Sequence, residues 1–276
     1  MKLQAEITND LLARIATILK SYSKDDIILH FSEEDISFCI PNDNLGIWVG
    51  CKTESCFNKY RIESKFSNLI SMKIEASQLA QALAMDHSSS IRVILSQANK
   101  FIFLQFTHRS LDASKQLEHK VPVIILLPQN VQQYAEPEWN PATMIAKLPP
   151  IKNVSSWCSN ASSISKYVTI SIIKNTETGD SDVGFRVESD AHMVSVFTRF
   201  PNMSIPESAS EETSVEESDL LECDVTVDLK KFNKILKVQN LQPKIALLYI
   251  YDKKFIRLHF VAGETSMTYI LNGITQ

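Results

Sequence analysis

The chain has 276 residues, with 28 Lys plus Arg against 32 Asp plus Glu and a formal net charge of −4. Its six glycines are about 2% of the chain, where roughly 7% is usual. They build no G-x-G-x-x-G, and Gly179 and Gly184 have P-loop spacing but are followed by Phe185 and Arg186. Phosphate-cradling loops need glycine so that backbone can approach the ligand, so a Rossmann or P-loop nucleotide enzyme is excluded.

In chain order, Lys2–Ile7 alternates as a strand. Asn9 is placed to cap a helix over Asp10–Tyr22, with Leu11, Ile15, Ile18, Leu19 and Tyr22 on one stripe. Strands follow at Ile27–Phe31, Ile36–Ile40, Gly46–Val49, Tyr60–Glu63 and Leu69–Ile74. A second helix carries Leu79, Ala82 and Leu83 inward, and strands at Ile91–Leu95, Phe101–Phe106 and Glu118–Leu126 come after it. Pro128 to Pro141, with Pro137, Tyr134 and Trp139, reads as a connector without periodicity. A strand at Met144–Leu148 then leads through Pro149-Pro150 into a helix over Ile151–Ser163. Strands are expected near Tyr167–Ile173, Val183–Val187, Met193–Arg199, Asp224–Val227, Ile245–Ile250, Phe255–Phe260 and Met267–Leu271. A fourth helix lies between Val227 and Lys237.

The chain repeats itself. Residues 74–84 and 227–237 share one pattern at an offset of 153: a β residue, an acid, then apolar positions at helical spacing. Lys100-Phe101-Ile102-x-Leu104-x-Phe106 matches Lys254-Phe255-Ile256-x-Leu258-x-Phe260 at an offset of 154. Two ordered matches at nearly equal offsets imply duplicated halves, 1–127 and 144–276, joined by a connector at 128–143. Each half has two helices and an extensive antiparallel sheet, an α+β class.

Charge is unevenly spread. Glu207 to Asp224 holds eight acids and no Lys or Arg, and reads as a Ser-rich solvated loop. Without it the balance is 28 basic to 24 acidic residues. The cations gather on helices opposite the apolar stripes: Arg14, Lys20 and Lys24 at the first, Lys152 and Lys166 at the two ends of the third, and Lys230, Lys231, Lys234 and Lys237 on the fourth. The second helix has none. For any single lysine an ordinary solvated face is explanation enough. Lys230, Lys234 and Lys237 in one line with no neighbouring acid suit a polyanion backbone.

No catalytic set appears, neither H-E-x-x-H, G-x-S-x-G nor a Cys-His signature, and no cofactor or metal is expected. Cys39, Cys51, Cys56, Cys158 and Cys223 are odd in number and form no C-x-x-C, so reduced buried thiols are expected. Zinc needs two close ligand pairs, and only Cys51 and Cys56 are near each other. His30 and His259 fall in strands as satisfied sheet histidines, and Asp180 and Asp182 flank one serine in what reads as a turn. The opening residues lack a signal-peptide run and no segment reaches 18 continuous apolar residues, so a soluble intracellular chain without a membrane partner is expected.

With these features in hand, the chain resembles sliding-clamp subunits, and more narrowly the Hus-one family of the nine-one-one checkpoint clamp. The residues that carry this are Met1-Lys2-x-x-Ala5-x-Ile7, Trp48, Cys56-Phe57-Asn58-x-Tyr60-Arg61-Ile62-Glu63, His119-Lys120-Val121-Pro122-Val123, Leu126-Leu127-Pro128, Glu136-Pro137 and Leu148-Pro149-Pro150. Each motif is short; their order along the whole chain is what persuades. The resemblance implies a nuclear, non-catalytic subunit of a hetero-trimeric ring that encircles double-stranded DNA without reading sequence. It also implies an ATP-dependent clamp loader and recruited repair and checkpoint proteins as partners. Two other clamp subunits would pair with edge strands at Glu118–Leu126, where Val121, Val123 and Ile125 alternate, and at His192–Arg199, which contains Val194 and Val196. Tyr134 and Trp139 are candidates for docking partner peptides, with packing onto their own domain equally open. A homotrimeric replicative-type clamp is the alternative, and an unrelated duplicated scaffold or enzyme a more distant one.

Overall fold

The computed structural model describes residues 1–22, 26–40, 45–84, 88–110, 116–175, 180–189, 193–205 and 220–274. Two compact units divide the chain, one of residues 1–41, 47–136 and 264–266, the other of 42–46, 137–263 and 267–276.

The first unit runs β1 (Lys2–Ile7), α1 (Leu11–Lys20), β2 (Asp26–Phe31), β3 (Asp35–Ile40), β4 (Leu45–Lys52), α2 (Thr53–Cys56), β5 (Lys59–Glu63), β6 (Ile70–Glu75), α3 (Ala76–Ala82), β7 (Ser88–Ala98), β8 (Phe101–Ser110), β9 (Gln116–Leu126) and α4 (Pro128–Val131), with a 3-10 turn at Gln132–Tyr134. Its strands lie in the order β4-β3-β2-β6-β9-β8-β7-β1-β5. The neighbouring strands pair antiparallel among the described residues. β7 and β8 are joined at Asn99 and Lys100, both at positive φ, as a tight hairpin whose turn twists with its strands requires. α1 and α3 pack together. Leu12, Ile15 and Leu19 of α1 and Leu79 of α3, with Leu83 just after it, are buried against Leu29, Phe38, Leu104 and Phe106 of the sheet. Each such side chain contributes about 1.5–3 kcal/mol by leaving water.

The second unit runs β10 (Met144–Lys147), α5 (Ile151–Ala161), β11 (Tyr167–Lys174), β12 (Ser181–Glu188), β13 (Ser195–Phe200), β14 (Glu222–Asp228), α6 (Leu229–Ile235), a 3-10 segment at Leu236–Leu241, β15 (Ile245–Tyr251), β16 (Phe255–Ala262) and β17 (Thr265–Asn272). One set of strands lies in the order β10-β15-β16-β17 and the other β13-β12-β11-β14. α5 and α6 cover the second set. Trp157 of α5 stands 5.6 Å from Phe185 of β12, and Phe232 of α6 stands 6.0 Å from the same ring.

The α+β class with large antiparallel sheets is as expected. Several local expectations change. Asn9 is not the helix cap: Asp10 holds that position, while the Asn9 Oδ1 accepts from the Leu11 N–H at 3.1 Å. The connector is not wholly irregular, because Pro128 at the first helical position starts a turn, where its missing N–H costs nothing. The fourth helix is α-helical only to Ile235 and tightens to 3-10 beyond it. Lys24, His192 and residues 207–219 of the acidic stretch lie outside the described residues; Glu222 and Asp224 belong to β14.

Candidate nucleic-acid and subunit interfaces

The basic face is most developed on the second unit. Asp228 caps α6, its Oδ1 accepting from the Lys231 N–H at 2.8 Å. Leu229, Phe232, Ile235 and Leu236 are buried. At 100° per residue this leaves Lys230 and Lys234 on the far side, and Lys237 is exposed on the next turn. α5 lies beside α6, joined by a Ser155 Oγ donation to the Asn233 Oδ1 at 3.2 Å. Lys152 and Lys166 are exposed. The Lys166 ammonium lies 5.4 Å over the Tyr167 ring and borders a small cleft with Asp228 and Lys231. Among the described residues, Lys152, Lys230 and Lys237 have no carboxylate within ion-pair distance. On α5 the Ser159 hydroxyl turns back to the Ser155 carbonyl, and just beyond the helix Ser163 turns back to Asn160. The face is therefore cationic, and it also carries the exposed amides Asn153 and Asn160.

The first unit is less basic. Lys20 is exposed in the last turn of α1. Arg14 is not a bare cation, since its Nη2 is 3.1 Å from the Asp10 Oδ1. Two polar residues of α3, Ser77 and Gln78, both donate to Glu75, while Gln81 is exposed.

β13 has one strand neighbour, β12. The Ser189 N–H donates to the Val194 carbonyl at 2.9 Å. Counting from that pair, Val196, Thr198 and Phe200 aim their backbone groups at β12, and Ser195, Phe197 and Arg199 aim theirs outward. Met193, Val194 and Phe197 are exposed, at 85%, 48% and 45%. Val196 is half-buried.

β9 is paired with β8 from Gln116 to Val123 and with β6 only from Ile124 to Leu126. Val121 and Val123 are buried in the unit's own core and Ile125 is half-buried, so an interface here uses their main chain. Leu117 and Ile124 are the exposed apolar side chains.

Both connector aromatics are engaged within their own units. The Trp48 Nε1 donates to the Tyr134 carbonyl at 3.0 Å, and the Lys73 ammonium lies 5.9 Å over the Tyr134 ring. A cavity of about 610 Å³ in the first unit opens beside this segment, lined by Val131, Tyr134, Ala135, Phe38, Cys39 and Trp48 among others. In the second unit Trp139 is 6.3 Å from Phe255, and the Arg257 guanidinium lies 5.2 Å over it.

A profile of the Hus1-like protein family matches residues 1–275. The chain belongs to the Hus1-like family. It is 26% identical over 279 residues to a checkpoint protein hus1 homolog of Dictyostelium discoideum, covering 98% of each chain. It is 21% identical over 288 residues to the checkpoint protein HUS1 of Homo sapiens, covering all of both. Family membership makes this Hus1-like chain a subunit of the checkpoint clamp, and a ring of identical copies is not favoured.

Sequence reading missed how the β13 edge of this Hus1-like chain is held. Asp182 is no turn residue: it lies in β12, 4% exposed. It accepts from the Arg199 Nε at 2.6 Å and the Asn202 N–H at 2.9 Å. A Cβ on Gly184 would come 2.8 Å from the Phe197 ring, so glycine there lets the ring lie on the strand, with the Arg186 guanidinium 5.3 Å above it. A lone glycine inside a strand was the available signal, because it marks close approach.

Proposed function

We propose that this Hus1-like chain is a non-catalytic member of a heterotrimeric nuclear ring that holds double-stranded DNA without reading sequence. In this reading the chain has the sliding-clamp fold, with similar halves 1–127 and 144–276 and a connector at 128–143. Helices α1, α3, α5 and α6 face the DNA. Lys20, Lys24, Lys152, Lys166, Lys230, Lys231, Lys234 and Lys237 contact phosphates, with Arg14 a weaker contributor because Asp10 neutralises it. β9 and β13 each meet a different neighbour through main-chain pairing, the usual fate of an open strand edge. An ATP-driven loader opens the ring, and the cavity beside Tyr134 supports recruitment of repair and checkpoint proteins at the connector.

The observation that carries the DNA reading is the line of Lys230, Lys234 and Lys237, opposite a fully buried stripe and beside exposed Lys152. The chain's total charge is negative, yet Lys230 and Lys234 share one face of α6, with Lys237 exposed on the turn that follows.

Co-expression with candidate clamp subunits and measurement of mass by light scattering tests the assembly. A 1:1:1 complex with two different chains, and a monomer when expressed alone, is the expected result. A trimer of the chain with itself overturns it in favour of the homotrimeric alternative.

A further inference from the structure

Cys51 and Cys56 stand apart from the other cysteines. All five are free and buried. Cys51 ends near the close of β4, where the strand passes into α2, and Cys56 is the last residue of α2. The Cys56 thiol donates to the Cys51 Sγ at 3.3 Å, and the Cys51 thiol is directed to the Ile36 carbonyl at 3.6 Å. A disulfide has its sulfurs about 2.05 Å apart, so bonding asks the pair to close by little more than about 1 Å. Rotation of side chains and a small shift of a four-residue helix supply movement of that size.

From this contact we infer that Cys51 and Cys56 form an oxidisable dithiol, a site for reversible disulfide formation by a small peroxide. The balance is complete with hydrogen peroxide as oxidant. The two thiols give up two protons and two electrons, one S–S bond forms, and the peroxide is reduced to two waters.

The surroundings set the rate and the consequence. The hydrogen bond shared with Cys56 and then burial push the Cys51 thiol well above its ordinary value, which keeps the reactive thiolate scarce. Oxidation therefore waits on a local opening of α2. That opening is limited by identifiable contacts: the Thr53 N–H to the Glu34 carbonyl at 2.8 Å, the Asn58 N–H to the Glu6 carbonyl at 2.8 Å, and the Asn9 side chain to the Ser55 carbonyl at 2.8 Å. Once formed, the bond staples the end of β4 to the turn that feeds β5. It thereby fixes a segment to which the Asn9 side chain, just before α1, is hydrogen-bonded.

The test uses the full chain, folded, treated with hydrogen peroxide, then denatured and alkylated. Untreated protein takes five alkyl groups, matching its five cysteines. Treated protein is expected to take three, to regain five after dithiothreitol, and to react several-fold faster in sub-denaturing urea. Trypsin cuts after Lys52, so the bond appears as peptide 53–59 linked to the peptide that ends at Lys52, with Cys39 in that peptide alkylated. Cys51→Ser and Cys56→Ser are each expected to keep all four remaining thiols. Should one variant fail to fold, the wild-type peptide map still decides. Retention of five alkylatable thiols in peroxide-treated wild-type protein, or linkage through any other cysteine, overturns the inference.

Discussion

Replacing Lys230, Lys234 and Lys237 by glutamine removes two charges from the outer face of α6 and one from the 3-10 turn after it, while leaving Leu229, Phe232, Ile235 and Leu236 buried as they are. The Asp228 cap, which uses the Lys231 backbone, is also untouched. Fold and assembly should therefore survive. If each ammonium displaces a condensed counterion from a phosphate, each contributes about 0.9 to the slope of log affinity against log salt. The triple substitution should lower that slope by about 2.7, a difference of about 40-fold in how much binding falls between roughly 50 and 200 mM salt. At roughly 150 mM salt, affinity itself should drop on the order of a hundredfold. Fluorescence anisotropy of the assembled ring on two duplexes of unrelated sequence, over a salt series, measures both quantities. Arg14→Gln is the internal control: its guanidinium already faces the Asp10 carboxylate at 3.1 Å, so its slope change should be well under 0.9. An unchanged slope in the triple variant would refute the channel face. A loss confined to one of the two duplex sequences would refute phosphate contact as its basis.

Three further outcomes follow from the same geometry. Ser195→Pro removes a donor that points away from β12, so the chain should fold with an unchanged urea midpoint yet lose one ring neighbour in size-exclusion chromatography; retained assembly would count against β13 as an interface. A proline at Val123 is a poorer probe, because that side chain is buried and its strand is already paired with β8. Gly184→Ala should cost about 1–3 kcal/mol in urea unfolding through overpacking, since its Cβ would meet the Ser171 Oγ at 2.5 Å and the Phe197 ring at 2.8 Å. Stability should also depend on pH through His30 and His108, both held by burial below the ordinary value of 6.5. The unfolded chain takes up these protons first as pH falls, so their contribution is complete above 6.5 and is lost below it. Urea midpoints at pH 7.5 and 5.5 should differ, and His30→Gln should narrow the gap; equal midpoints in the wild-type chain would show the reasoning wrong.

How much was legible in the sequence depended on the range of the forces involved. Helical stripes are local, and Leu79, Ala82 and Leu83, like Phe232, Ile235 and Leu236, are buried as their spacing requires. Alternation likewise gave the strands, though β7 extends from Ser88 to Ala98, well past its apolar run of Ile91–Leu95, because its partner β8 supplies hydrogen bonds to polar residues too. The short helix at Thr53–Cys56 was not legible. One turn has no period, and it forms here because its ends are tied to distant carbonyls at Glu34 and Glu6.

The same limit applies to the candidate surfaces, and it decides which cations matter. The sequence marks Arg14 and Lys230 as both basic and both helical, but only the fold shows Asp10 against the first and, among the described residues, no carboxylate within ion-pair distance of the second. Likewise Asp182 reads as a turn acid until β12 and β13 pair and bring Arg199 to it. That pair is one-sided in exposure, Asp182 buried and Arg199 partly open, so it sets a paired guanidinium on an edge with several exposed apolar side chains. A strand edge that carries Met193, Val194 and Phe197 in the open would invite any exposed strand to pair with it. Arg199, like Arg14, already has its carboxylate, so what this edge leaves in the open is chiefly the side chains of Met193, Val194 and Phe197. In the reading proposed above, a ring neighbour would meet this edge beside an ion pair that neither the valine alternation nor the net charge of −4 could reveal.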